Sequence, residues 1–124
     1  MIKYYKGEYF TGGVNMKLVI AMVQDDDALD LVDAITEAGF RVTKLASTGG
    51  FLKSGNTTLI IGVEADKVQK VIDVVEDICK TRKQIITTPT PITGNMDMYM
   101  SYPIEIEVGG ATIFVVDVDQ FIKI

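Results

Sequence analysis

At 124 residues the chain is the length of one domain, and its 48 % hydrophobic content suffices for a core. A formal net charge of −5 argues against a nucleic-acid polymer as partner, because phosphate backbones call for a concentrated basic face. Histidine is absent and Cys79 is the single cysteine, which removes internal disulfides, Ser–His–Asp and Cys–His nucleophile pairs and most zinc sites.

Residues 1–15 (MIKYYKGEYFTGGVN) show no sustained period and are expected to be a tag or an over-extended start, outside the fold. Gly12-Gly13-Val14-Asn15 can be encoded by a stretch resembling a bacterial ribosome-binding site, so translation is expected to begin at Met16. Lys17–Val23 is a short apolar run and reads as a central strand. Asp25, Asp26 and Asp27 then open a helix, where acidic groups complement its dipole and cap free N–H groups. Ala28, Leu31, Val32, Ile35 and Ala38 keep helical spacing, and Gly39 ends the helix at C′.

Arg41–Ser47 reads as a strand, Thr48–Asn56 as a glycine-rich turn, and Thr57–Val63 as the partner strand. Gly62 within that strand suggests close packing against its backbone. Asp66 opens a second helix, on which Val68, Val71, Ile72, Val75 and Ile78 hold the period; Cys79 reads as a buried structural thiol. Lys80, Arg82 and Lys83 suit the negative end of that helix.

Ile85-Ile86 reads as a brief strand. Thr88–Tyr102, with Pro89, Pro91 and Gly94, reads as a long irregular connector whose Met96, Met98, Tyr99, Met100 and Tyr102 cover the core, a subunit contact or a ligand. Ile104–Val108 alternates like a half-buried strand, Gly109-Gly110 reads as a hairpin turn, and Thr112–Val118 as the return strand. The simplest packing is an α+β, ferredoxin-like βαββαβ sandwich with an extra C-terminal strand. Its strands are apolar on both sides, so self-association is expected to cover the second sheet face.

The run Ala38–Gly62 has the chemistry of a binding site. Phe51 offers a flat face, Arg41 a positive charge, and Asn56 a donor and an acceptor, between glycines that admit close backbone approach. These types can hold a purine and a phosphate; they do not break bonds. The run matches neither the phosphate-binding loop GxxxxGK[ST] nor GxGxxG. A plain hairpin turn with a solvated Lys53 is the alternative.

Four motifs make the signal specific: VQDDD (Val23–Asp27), TKLASTGGFLKSGNTT (Thr43–Thr58), YPIEIEVGGATIFV (Tyr102–Val115) and Val118-Asp119-Gln120-Phe121. Through them residues 16–121 resemble the PII-like cyclic-di-AMP receptor family. The resemblance implies a PII-like homotrimer and a receptor domain over 16–124 with no cofactor; a single cysteine and no candidate signal peptide or bilayer-spanning apolar run read as cytoplasmic. It implies a ligand, cyclic-di-AMP, sensed in clefts between subunits without turnover. It also implies that the ligand reorganises the long loop after the second helix and so alters docking of a downstream protein.

Carried over by position, the resemblance gives Arg41 and Thr43 to the ligand, and Gly50, Phe51 and Leu52 to an adenine pocket walled by Asn56 and Gly62. Gly109, Gly110, Ala111 and Thr112 would approach from a neighbouring subunit, with Phe114 adding apolar surface. Gly39 stands where many members carry asparagine, and Phe121-Ile122-Lys123-Ile124 replaces the more usual His-Gln-Phe ending. The alternative is a PII-type sensor of ATP or ADP, against which the missing long basic regulatory loop and phosphate-loop lysines count. An enzyme such as a phosphodiesterase would need an activated nucleophile or a metal cluster. Neither a membrane nor a nucleic-acid polymer is expected as a partner.

Overall fold

The computed structural model of the chain describes residues 8–10, 15–45, 55–91 and 99–124. In chain order the elements are β1 (Glu8–Phe10), β2 (Met16–Gln24), α1 (Asp25–Glu37), β3 (Thr43–Lys44), β4 (Asn56–Glu64), a 3-10 turn (Ala65–Lys67), α2 (Val68–Cys79), β5 (Arg82–Pro91), β6 (Tyr99–Val108), β7 (Ala111–Asp117) and β8 (Phe121–Lys123). The main sheet is antiparallel with order β3-β4-β2-β7.

β2 is the centre of that sheet because its apolar run alternates with two useful faces. Val19, Ala21 and Val23 are buried on one face, where Leu59, Ile61 and Val63 of β4 join them. Ala28, Leu31 and Ile35 of α1 and Val71, Val75 and Cys79 of α2 close this core. Each fully buried Val, Leu or Ile contributes about 1.5–3 kcal/mol, so this two-helix-on-sheet layer carries the stability. The helical periods expected for both helices are the ones that place these residues inside.

α1 ends as expected. Gly39 takes φ +93°, and the amides of Gly39 and Phe40 donate to the carbonyls of Thr36 and Ile35, the paired bonds of a Schellman motif. This turns Phe40 back onto the core, where Lys70 Nζ sits 5.8 Å from its ring centroid.

Several expectations give way to longer-range pairing. The strand expected over Arg41–Ser47 is reduced, among the described residues, to Thr43–Lys44; Arg41 and Val42 precede it, and the Leu45 amide still reaches the Thr58 carbonyl. Thr88–Tyr102 was expected to be irregular, yet its described parts belong to a ribbon. β5 and β6 pair antiparallel from Arg82↔Val108 to Pro91↔Tyr99. Prolines are tolerated in a two-stranded ribbon because each strand keeps one free edge. Tyr99, Met100 and Tyr102 lie in β6; the roles expected for Met96 and Met98 lie outside the described residues.

Gly109-Gly110 is not a hairpin turn. β6 pairs with β5, whereas β7 pairs with β2, so the two glycines carry the chain from one sheet to another. The alternating Ile104–Val108 suits a ribbon, while β7 completes the main sheet beside β2. The strand expected over Thr112–Val118 is present as β7 (Ala111–Asp117), and a further short strand, β8, follows it. β8 pairs with β1, so Glu8–Phe10, set aside as lying outside the fold, forms a small two-stranded sheet with Phe121–Lys123. Among the described residues no helix is long and apolar enough to cross a membrane.

Candidate ligand-binding site

The face of the main sheet away from the helices collects four of the expected site residues. Strand alternation sets Leu18, Ile20 and Met22 on that face, opposite the buried Val19, Ala21 and Val23. Register then places Gly62 beside Leu18, Ile60 beside Ile20 and Thr58 beside Met22 on one flank. Val116, Phe114 and Thr112 stand on the other flank, and Thr43 lies opposite Ile60. Thr43, Gly62, Thr112 and Phe114 therefore share one surface, floored by apolar side chains. Phe114 is 52 % exposed, which is high for an aromatic in a sheet.

Among the described residues nothing stands within 4 Å of where a Cβ on Gly62 would lie, so the close packing expected there is absent among them. Asn56 begins β4 opposite Gln24, at the same end of the sheet as Ala111 and Thr112. Arg41 is exposed just before β3. Gly50, Phe51 and Leu52 lie outside the described residues.

Gly109 and Gly110 sit against the end of α2, with φ +90° and +91°. The Gly110 amide donates to the Cys79 carbonyl and the Gly109 amide to Gln24 Oε1 at 2.8 Å. A Cβ on Gly109 would stand 2.4 Å from the Lys80 carbonyl oxygen and 2.8 Å from Arg82 Nη1. A cavity of about 370 Å³ opens beside this turn, lined by Ile72, Val75, Glu76, Cys79, Gly110 and Ala111 among others.

The VQDDD motif does something different from capping. Gln24 is the N-cap of α1, and its side chain makes no capping hydrogen bond. Asp25 and Asp27 are turned to other elements. Asp25 Oδ1 accepts from Thr57 Oγ1 at 2.5 Å, and the Asp25 amide donates to the Gly55 carbonyl. Asp27, buried, receives Arg82 Nη2 at 2.7 Å and Nη1 at 3.4 Å. Donating to the Asp27 carboxylate pushes the Arg82 pKa further up, and the same guanidinium donates to the Lys80 carbonyl at 3.2 Å. Arg82 thus begins β5 and ties it to α1, and it is not in the last turn of α2, where no basic residue stands. Lys83 pairs across the ribbon with Glu105.

Sequence reasoning missed Gln24, Asp27 and Arg82, whose partners lie far along the chain. It also missed Thr58, whose buried hydroxyl has no hydrogen-bond partner among the described residues. The available signals were the VQDDD motif for Gln24 and Asp27 and the end of TKLASTGGFLKSGNTT for Thr58.

Cys79 is buried, as expected. Burial first, and the charge of Asp27 second, push its thiol up to about 11 from 9.0, partly offset by Arg82. The unfolded chain releases this proton near 9, the folded chain near 11, so stability falls as pH rises through that window. Urea midpoints at pH 8 and pH 10.5 should therefore drop more in the wild type than in Cys79→Ala.

Comparison with solved structures defines the class first. The chain is similar to Arabidopsis thaliana PII bound to citrate, at TM-score 0.53 and 20 % identity, over 88 % of this chain and 82 % of that one. At this identity the likeness is one of fold, a PII-like mixed α/β architecture with two helices and antiparallel sheets. A functionally unknown protein from Pediococcus pentosaceus ATCC 25745 is more similar, at 44 % identity and TM-score 0.69, over 88 % of this chain and 97 % of that one. Residues 16–124 match the family model described as cyclic-di-AMP receptor, and the chain belongs to that family.

Proposed function

We propose that this protein is a non-enzymatic signalling receptor that binds cyclic-di-AMP in clefts between the subunits of a cytoplasmic homotrimer. The family match over residues 16–124 is the observation that carries this reading. The sheet surface supports it. Thr43, Gly62, Thr112 and Phe114 stand together on one face, and among the described residues β7 is an edge of the main sheet, carrying the exposed Val115 and Val116. Apolar surface of this kind is stabilised by a second protein copy. Adenine wants apolar walls with a few directed polar groups, and phosphates want N–H donors and a guanidinium. The Asn56 side-chain amide and the Arg41 guanidinium supply those groups. Gly50, Phe51 and Leu52 complete the adenine pocket in this reading. The β5–β6 ribbon is the segment through which binding would alter docking of a downstream protein.

Calorimetric titration with cyclic-di-AMP, cyclic-di-GMP, ATP and ADP tests the proposal. The expected result is micromolar or tighter binding of the first alone. A preference for ATP or ADP would instead make the protein a PII-type mononucleotide sensor, and silence with all four would remove the receptor reading. Phe51→Ala should weaken cyclic-di-AMP binding without unfolding the protein.

Gly62→Val adds a sharper check. Because a Cβ there meets nothing within 4 Å among the described residues, stability should change by less than about 0.5 kcal/mol, whereas a ligand approaching that backbone should be displaced and affinity should fall at least tenfold.

A further inference from the structure

We infer that Gln24 and the Arg82–Asp27 pair are positioning residues that present the Gly109–Thr112 segment to the ligand. This inference rests on the proposed cyclic-di-AMP site. Ala111 and Thr112 are held in β7 by β2, whereas the two glycines before them, consecutive and at positive φ, have no side chains to anchor them. The conformation of the glycines is set from outside. Gln24 Oε1 accepts the Gly109 amide at 2.8 Å, and the Cys79 carbonyl takes the Gly110 amide. Arg82 packs beneath Gly109, at 2.8 Å from where a Cβ would stand. Its guanidinium is held by both Asp27 oxygens and by the Lys80 carbonyl.

The geometry has a further consequence. Gln24 is the last residue of β2, and Asn56 is its register partner on β4. One side chain at the end of the central strand therefore fixes where the glycine turn stands relative to Asn56. Arg82 and Gly109 begin and follow the two legs of the ribbon, so the same fastening sets where the ribbon leaves the core. Amides used by Gln24 and Cys79 are not free for a ligand. The segment would thus meet a ligand through the close approach its glycines allow and through the side chains of Ala111 and Thr112.

The test compares Gln24→Met, which keeps side-chain length and removes the acceptor, with Gln24→Glu, which keeps an acceptor oxygen. Amide hydrogen exchange of Gly109 in the ligand-free protein is read by NMR, and cyclic-di-AMP affinity by calorimetry. Gly109 exchange should speed up at least tenfold in Gln24→Met and stay slow in Gln24→Glu. Affinity for cyclic-di-AMP should fall roughly tenfold in Gln24→Met while the melting temperature moves by less than about 3 °C. Unchanged Gly109 exchange in Gln24→Met would overturn the inference, and so would faster exchange with unchanged affinity. If the wild type itself does not bind cyclic-di-AMP, the receptor reading fails separately, and the exchange comparison still decides whether Gln24 positions the turn.

Discussion

Gly109→Ala should destabilise the protein by roughly 3 kcal/mol, enough to lower the melting temperature by more than 10 °C. Two costs combine. The backbone sits at φ +90°, which L side chains rarely adopt, and the new Cβ would stand 2.4 Å from the Lys80 carbonyl oxygen and 2.9 Å from that of Cys79. Both oxygens belong to the end of α2, so the clash cannot be relieved by turning a side chain. Gly110→Ala is the internal control. It carries the same backbone strain at φ +91°, but the nearest atom, Thr81 Oγ1, lies at 3.6 Å. Its cost should be about 1–2 kcal/mol. Thermal melts of both variants check the ordering; equal losses would mean that contact with α2 contributes nothing.

Arg82→Ala should lower the melting temperature by roughly 10 °C, more than Lys83→Ala. Both are basic residues at the start of β5, and both pair with a carboxylate. Their partners differ in exposure: the Asp27 side chain is 6 % exposed and that of Glu105 is 57 % exposed. Removing Arg82 leaves a carboxylate buried without its cation, whereas removing Lys83 leaves a solvated one. The double variant Asp27→Asn/Arg82→Gln should recover part of the loss, because the buried charge is then gone. A loss in Arg82→Ala no larger than in Lys83→Ala would show that the pair is not a fastening point.

Much of the layer that supports the site is legible in the residues. The apolar run at 17–23, the β-branched run at 57–63 and the helical periods around Leu31 and Val75 name the strands and helices that form the core. Gly39 marks the end of α1 correctly because its local φ requirement is met by its own neighbours. The four motifs lead to the family. The expected residues Thr43, Gly62, Thr112 and Phe114 fall on one sheet face, although no local pattern relates residue 43 to residue 114.

The misreadings share a cause. Pro89 and Pro91 signal a broken segment, yet a ribbon with a free edge on each strand accommodates them. Gly109-Gly110 looks like a hairpin turn between two strand-like runs, yet Ile104–Val108 and Ala111–Asp117 choose different partners. Three adjacent aspartates do open α1 and fill its first turn, where their charge suits the dipole, yet two of them also hold Thr57 and Arg82.

Periodicity alone settles which residues in this chain are buried together, because hydrophobic burial acts through spacings of two and of three to four residues within one element. It settles the two helices, the central strands and the apolar second face of the sheet. The folded molecule decides which strand β6 joins, why position 109 must be glycine, and what Gln24, Asp27 and Arg82 hold. Those outcomes depend on contacts between residues 55 and 85 positions apart, and a hydrogen bond or ion pair over such a separation exists only once the core has brought its partners together.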